Sequence, residues 1–326
     1  MSALDTRQDI RILTLFLIVQ FAGLFLATQL YSGATVEQVS VSPNSAVLFP
    51  VTYIIFIIGF SIIMLLLLRR GIARIMVLLE GFAILVSSYF FFIIIVSIIG
   101  SYFPNTSFIN NQNYQIIAAA IFGFAVVLFK NKNPRSRNTV SIIASISIGV
   151  IIGLGLSFET ALIFMIILAV YDFIAVFITK HMVAMGQAAV EMNLAFLIMT
   201  SEGEAVPAST IQKKHSGVFS SMRNPFSKYK NTVKELKKEG LVPILRPRAL
   251  GNGDLAVPLM VAVSAYSQFL TFTVSFVIIF GAAFGLVMTF FILGKYKRPL
   301  PAIPPLLFGI LLALSVYFIA TGAISL

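Results

Sequence analysis

The chain has 326 residues, 59% of them hydrophobic and 11% charged, with 23 Lys and Arg against 12 Asp and Glu, a formal net charge of +11 and a mean hydropathy of +0.99. No single soluble core hides that much apolar surface, so the composition specifies an integral, multi-pass membrane protein. The absence of cysteine excludes disulfides and thiolate-held metals, and two scattered histidines, His181 and His215, give no basis for a zinc site; no metal and no cofactor are expected.

A membrane-crossing helix takes ~20 mainly apolar residues, and nine stretches come close to that length, which predicts an all-α protein of nine transmembrane helices. The first, 10–30, follows Arg7 and Arg11, but its apolar run is too long for a secretion signal and no small-residue cleavage site follows Thr28. The second and third, 46–68 and 75–99, are joined by Arg69, Arg70 and Arg74. The third carries Glu80, for which Arg74, one and a half turns earlier, is the expected partner in a structural, snorkelling role. The short fourth span, 114–129, and the fifth, 140–156, flank Lys130, Lys132, Arg135 and Arg137. The sixth, 161–179, holds Asp172.

Residues 183–200, VAMGQAAVEMNLAFLIMT, read as a helix lying at the cytosolic interface. Gln187 and Glu191 then face water, and Met185, Met192, Phe196 and Met199 face lipid. Leu194 and Ile198 fit neither face, and a buried cap over the bundle is the alternative. From Ser201 to Pro247 the composition turns to Lys, Ser, Pro and Asn, the signature of a mobile linker with one short helix near 232–238. The seventh span, 249–267, is interrupted by Gly and Pro and holds Asp254; the eighth, 270–293, and ninth, 301–321, are joined by Lys295, Lys297 and Arg298. The chain thus divides into a six-helix portion, 1–180, a cytosolic segment, 181–248, and a three-helix portion, 249–326, without an internal repeat.

With nine spans the connecting loops alternate sides, and all 23 Lys and Arg fall on one side. Cytosolic loops carry the basic excess, so the amino terminus is expected in the cytosol and the carboxyl terminus outside. The net charge is this asymmetry summed. The basic loop lacks interleaved aromatics, and no nucleic-acid partner is expected.

Nine of the twelve acids lie in loops or at span edges; Glu80, Asp172 and Asp254 do not. A charge in hydrocarbon costs ~3 kcal/mol or more, so an intramembrane acid without a basic neighbour in its own span points to function. Asp172 precedes Lys180 by eight residues and Asp254 follows Arg248 by six, which at ~1.5 Å per helical residue puts both ~9–12 Å inside the cytosolic face. Two facing carboxylates in low dielectric do not both ionise, and the pair then offers an acid and a base together. Peptide hydrolysis and a proton relay in an ion-coupled transporter both use such a pair; helix packing is the structural alternative.

Around these acids stand YD at Tyr171 and Asp172, GNGD at 251–254 and LPAIPP at 300–305, in that order on spans six, seven and nine, with a long loop after the first. The chain here resembles the presenilin and signal peptide peptidase family of intramembrane aspartyl proteases, whose pattern is YD, GxGD and PAL. The resemblance implies an aspartic-type endopeptidase in which Asp172 and Asp254 are the catalytic pair and Tyr171, Gly251, Asn252, Gly253, Pro301, Ala302 and Ile303 shape the site. It implies transmembrane-helix proteins as substrates, cut near their cytosolic ends within the lipid bilayer, and an integral protein of the cell membrane; accessory subunits are not evident. The glycines would permit close backbone approach and unusual dihedrals beside the acid, and the proline turn would form a third wall or simply an ordinary helix start.

Two positions depart from the pattern. Ile303 stands where the family has leucine, and Asn252 is polar where better-known members have an apolar residue. GDLAVP is similar to the signal peptide peptidase branch and YDFIAV to presenilin, a mixture that resembles the archaeal homologues. A transporter remains the rival reading, though it is expected to show an internal repeat.

Overall fold

The computed structural model describes residues 3–33, 55, 59, 63, 73–103, 111–130, 132–179, 194–195, 197–207, 241–296 and 300–322. Span two, 46–68, apart from three isolated helical positions, lies outside these residues, as do the short helix expected at 232–238 and the segment 183–193. In chain order the elements are α1 (Ala3–Gly33), α2 (Ala73–Tyr102), α3 (Gln112–Phe129), α4 (Pro134–Gly155), α5 (Phe158–Phe173), β1 (Leu197–Pro207), β2 (Leu241–Gly251), α6 (Asn252–Phe269), α7 (Phe272–Tyr296) and α8 (Ile303–Ala320). A single π-helical turn, Ile174–Ile178, prolongs α5.

The helix starts are written locally. The Asn111 side chain accepts from the Asn113 N–H to open α3, and Ser157 accepts from the Thr160 N–H to open α5. Pro134 occupies the first turn of α4, where its missing N–H costs nothing, and the Asn133 N–H bonds Ser136 Oγ at 3.0 Å. Leu270, at φ 53°, ends α6 in the left-handed conformation and turns the chain into α7.

Among the described residues seven helices are long and apolar enough to cross a membrane: all except α6, with α5 counted through its π turn. The exception has a physical cause. α6 packs against α1, α4, α5 and α7, and it buries Leu255, Ala256 and every residue from Pro258 to Ala265. A helix enclosed by protein needs no lipid-facing surface, so it can carry Asn252, Asp254, Ser264 and Gln268. Glycines let the surrounding backbones close in. A Cβ on Gly153 would lie 2.8 Å from the Met260 carbonyl, and one on Gly149 would meet the Leu259 side chain at 2.7 Å. The α7–α8 crossing is equally close, with Gly281 and Gly285 against Gly309 and the Pro305 carbonyl. Both helix pairs use a Gly-x-x-x-Gly spacing, a small-residue face suited to packing in lipid.

The segment before α6 differs from the sequence expectation. Residues 197–200 are strand, and 201–207 and 241–247, assigned to a mobile linker, are paired: β1 runs antiparallel to β2 from Leu197 opposite Gly251 to Pro207 opposite Leu241. The reason lies in the residues that fitted neither face of a helix. Leu194 is 1% exposed, and Ile198 0%, with Thr200 also buried and Leu197 and Met199 half-exposed or less, a period of two. Asn138 of α4 fixes this edge, its Oδ1 accepting from the Met199 N–H at 3.1 Å and its Nδ2 donating to the Met199 carbonyl at 3.0 Å. Span seven accordingly begins as strand, and helix starts only at Asn252.

Candidate active site

Asp172 comes near the end of α5, 5% exposed, facing the start of α8. Its Oδ2 accepts the Ile303 N–H at 3.2 Å, and the Ala302 backbone also hydrogen-bonds the carboxylate. These are the donors a helix leaves unpaired at its start. Pro304 and Pro305 have no N–H to offer, so the proline turn narrows the beginning of α8 to the two amides that Asp172 uses. The turn is thus a helix start and a wall of the site at once, with Pro301 and Ile303 buried and Ala302 partly exposed. Tyr171 is half-buried beside Asp172.

Asp254 occupies the third helical position of α6, and its Oδ2 accepts the Gly251 N–H at 3.2 Å, a carboxylate folded back onto the helix entrance. A Cβ on Gly251 would lie 3.1 Å from that oxygen, which is what glycine contributes there. The expectation of unusual dihedrals is not met, since Gly251 has φ −69° and Gly253 is absent from the positive-φ residues. Among the described residues nothing lies within 4 Å of where a Cβ on Gly253 would stand, which leaves open space beside Asp254 there. Asn252 turns away to the β1 side, where its Nδ2 donates to the Ala195 carbonyl at 3.3 Å; its own carbonyl accepts from Ser145 Oγ at 3.4 Å.

α5 packs against both α6 and α8, which brings Asp172 within electrostatic range of Asp254. The structure therefore gathers Asp172, Asp254, the GNGD turn and the first residues of α8 in one place.

Three polar contacts that the sequence does not announce support this arrangement. Gln20 of α1, fully buried, donates Nε2 to the Leu255 carbonyl at 2.9 Å, next to Asp254. Pro258 leaves the Asp254 carbonyl without its helical donor, so the Gln20 bond secures a turn that the proline weakens. Gln268 at the far end of α6 bonds the start of α5. Glu80 pairs with Lys130 Nζ at 2.6 Å; the side chain of Arg74, its expected partner, lies outside the described residues. An amide in the apolar middle of span one was the available signal for Gln20; Gln268 and Lys130 stand at span ends, where polar residues are ordinary.

A family profile described as "Signal-peptide peptidase, presenilin aspartyl protease" matches residues 13–323. Two solved structures of a presenilin family intramembrane aspartate protease are similar in fold. The one in space group C222 has a TM-score of 0.55 and 19% identity over 94% of this chain and 95% of its own. The one in space group P2 has a TM-score of 0.56 and 20% identity over 93% and 94%. No curated protein matches the chain by sequence. With the profile spanning nearly its whole length, the chain belongs to the signal-peptide peptidase and presenilin family of intramembrane aspartyl proteases.

Proposed function

We propose that Asp172 and Asp254 are the catalytic pair with which this intramembrane aspartyl protease hydrolyses peptide bonds in transmembrane helices. The observation that carries the reading is that each acid, on its own helix, accepts a backbone N–H, and that the packing of α5 on α6 brings the two carboxylates within electrostatic range of one another. One carboxylate takes a proton from water as it attacks the scissile carbonyl, and the other, protonated, donates to the carbonyl oxygen. The roles exchange as the gem-diol collapses and the amine leaves.

A helical substrate hides its carbonyls and must unwind first, after which its amides need partners in a medium without water. β2 ends at Gly251, beside Asp254, and among the described residues it pairs only with β1. An extended substrate adding to that edge is delivered to the open space around Gly253. Tyr171, Gly251, Asn252, Gly253, Pro301, Ala302 and Ile303 shape the site around it.

We further propose nine spans: the seven apolar helices, the enclosed α6, and 46–68. The basic-loop asymmetry supports a cytosolic amino terminus and an external carboxyl terminus; the cell membrane is the location we propose, with cleavage near the cytosolic ends of substrates. The division at 1–180, 181–248 and 249–326 follows the same layout.

The test is reconstitution of the purified chain with a transmembrane peptide reporter, alongside Asp172→Asn and Asp254→Asn. Cleavage is expected to vanish in both. Undiminished cleavage in either removes that residue from the mechanism.

A further inference from the structure

Glu80 has no part in the chemistry above, yet it is 2% exposed inside α2, where an ionised carboxylate is costly unless fully partnered. It is fully partnered. Oε2 accepts from Lys130 Nζ at 2.6 Å, with the two side chains 2% and 6% exposed, and Oε1 accepts the backbone N–H of Ala195. Arg137 of α4 also acts on the Glu80 charge.

Ala195 is the hub. Its carbonyl accepts twice, from Ser141 Oγ at 2.7 Å and from Asn252 Nδ2 at 3.3 Å. The peptide on either side of Ala195 is therefore tied to three elements, and one of the ties is the second residue of GNGD. Asn252 in turn stands two residues before Asp254, and Ser145 holds its carbonyl. A continuous path of buried polar contacts thus runs from Lys130 through Glu80 and Ala195 to Asn252. Buried ion pairs of this kind rarely gain stability over apolar residues of the same volume, while they fix geometry. The path ends on the turn whose placement, to within an ångström, decides the rate.

We propose that Glu80 is a positioning residue of the protease: with Lys130 to orient it, it holds Ala195, and through Ala195 and Asn252 it sets the turn that presents Asp254. The proposal rests on Asp254 being catalytic. The Asn252 contact also explains a polar residue in GNGD, since only a side-chain donor reaches the Ala195 carbonyl from there.

The decisive variant exchanges the charges, Glu80→Lys with Lys130→Glu, which retains an ion pair but removes the acceptor for the Ala195 N–H. The full-length chain is reconstituted with the peptide reporter, and kcat, KM and Tm are measured beside Asp254→Asn. Cleavage by Asp254→Asn would defeat the catalytic assignment whatever Glu80 does. With that control inactive, the exchanged chain is expected to stay folded, its Tm lowered only by the unpaired Ala195 N–H, and to keep its KM while kcat falls roughly ten- to a hundredfold. Asn252→Ala should also lower kcat, and combining it with the exchange should lower it no further, because both break one path. If the exchanged chain does not fold, Glu80→Leu with Lys130→Leu removes both charges together, and the same loss of kcat in a folded protein is expected. A folded variant of either kind with undiminished kcat overturns the proposal, and so do losses that multiply with that of Asn252→Ala.

Discussion

The Phe158 N–H donates to Oε1 of Gln268 at 2.8 Å, and the Gln268 amide donates to Oε1 of Glu159 at 2.7 Å, so one side chain near the end of α6 closes onto the first turn of α5. Fourteen residues lead from Phe158 to Asp172 along α5, and fourteen from Gln268 back to Asp254 along α6. At ~1.5 Å per residue both acids lie ~21 Å from the same clasp. Equal heights on two antiparallel helices follow from this one contact.

Removing the clasp should therefore disturb register before it disturbs folding. Gln268→Leu is expected to lower stability by about 1 kcal/mol, the worth of the lost bonds, and to lower kcat by more than that figure alone conveys. Thermal unfolding and reporter cleavage of the reconstituted protein measure the two separately. An unaltered kcat would show that the aspartates are aligned by other contacts.

The acid and base roles require one proton shared between Asp172 and Asp254. A plot of kcat/KM against pH should accordingly rise and then fall, its two limbs belonging to the pair and not to either residue. Measurement across the acid to neutral range decides it. A rate that climbs to a plateau with no descending limb would exclude a protonated partner.

Gly285 lies so close to the Pro305 carbonyl that no side chain fits between α7 and α8. Gly285→Val should push α8 outward, cost about 1–3 kcal/mol and draw the Ile303 N–H away from Asp172. Unfolding and cleavage are both expected to suffer. Gly155, with nothing among the described residues within 4 Å of a Cβ, is the control, and Gly155→Ala should leave cleavage intact.

Leu270 holds a left-handed conformation at φ 53° with its side chain exposed. Leu270→Gly should raise stability by roughly 0.5–1 kcal/mol, since glycine adopts that region without a Cβ clash. A higher Tm with unchanged cleavage is expected; a lower one would mean that the leucine contacts outweigh the strain.

The helices were legible because the bilayer dictates how long an apolar run must be, and the motifs because Asp172, Asp254 and the proline turn stand out where charge and proline are costly. α6 was legible as a segment, although its meagre apolarity is understood only from the four helices around it. The strands were not legible. Leu197 pairs with Gly251, far along the chain, and the intervening Lys, Ser and Pro carry the composition of a linker. That error propagated to the depth of Asp254, reckoned as six helical residues from Arg248 when three of the intervening residues, 249–251, are strand. Gln20 was a visible polar residue in span one, but its bond to Leu255 spans 235 positions, and no local pattern announces such a partner. The spacing of Gly281 and Gly285 is visible in the sequence, but the helix it faces is not.

The two aspartates stand in unequal company. Asp254 rides on a helix walled in by its neighbours, whereas the helix of Asp172 turns Val170, Phe173 and, beyond it, Phe177 and Ile178 outward to the surroundings. Bilayer thickness, fluidity and passing helices thus press directly on one half of the pair and reach the other only at second hand. A change of lipid is expected to act as a tilt of α5 against a fixed α6, making the enzyme's rate a gauge of the membrane in which it is dissolved.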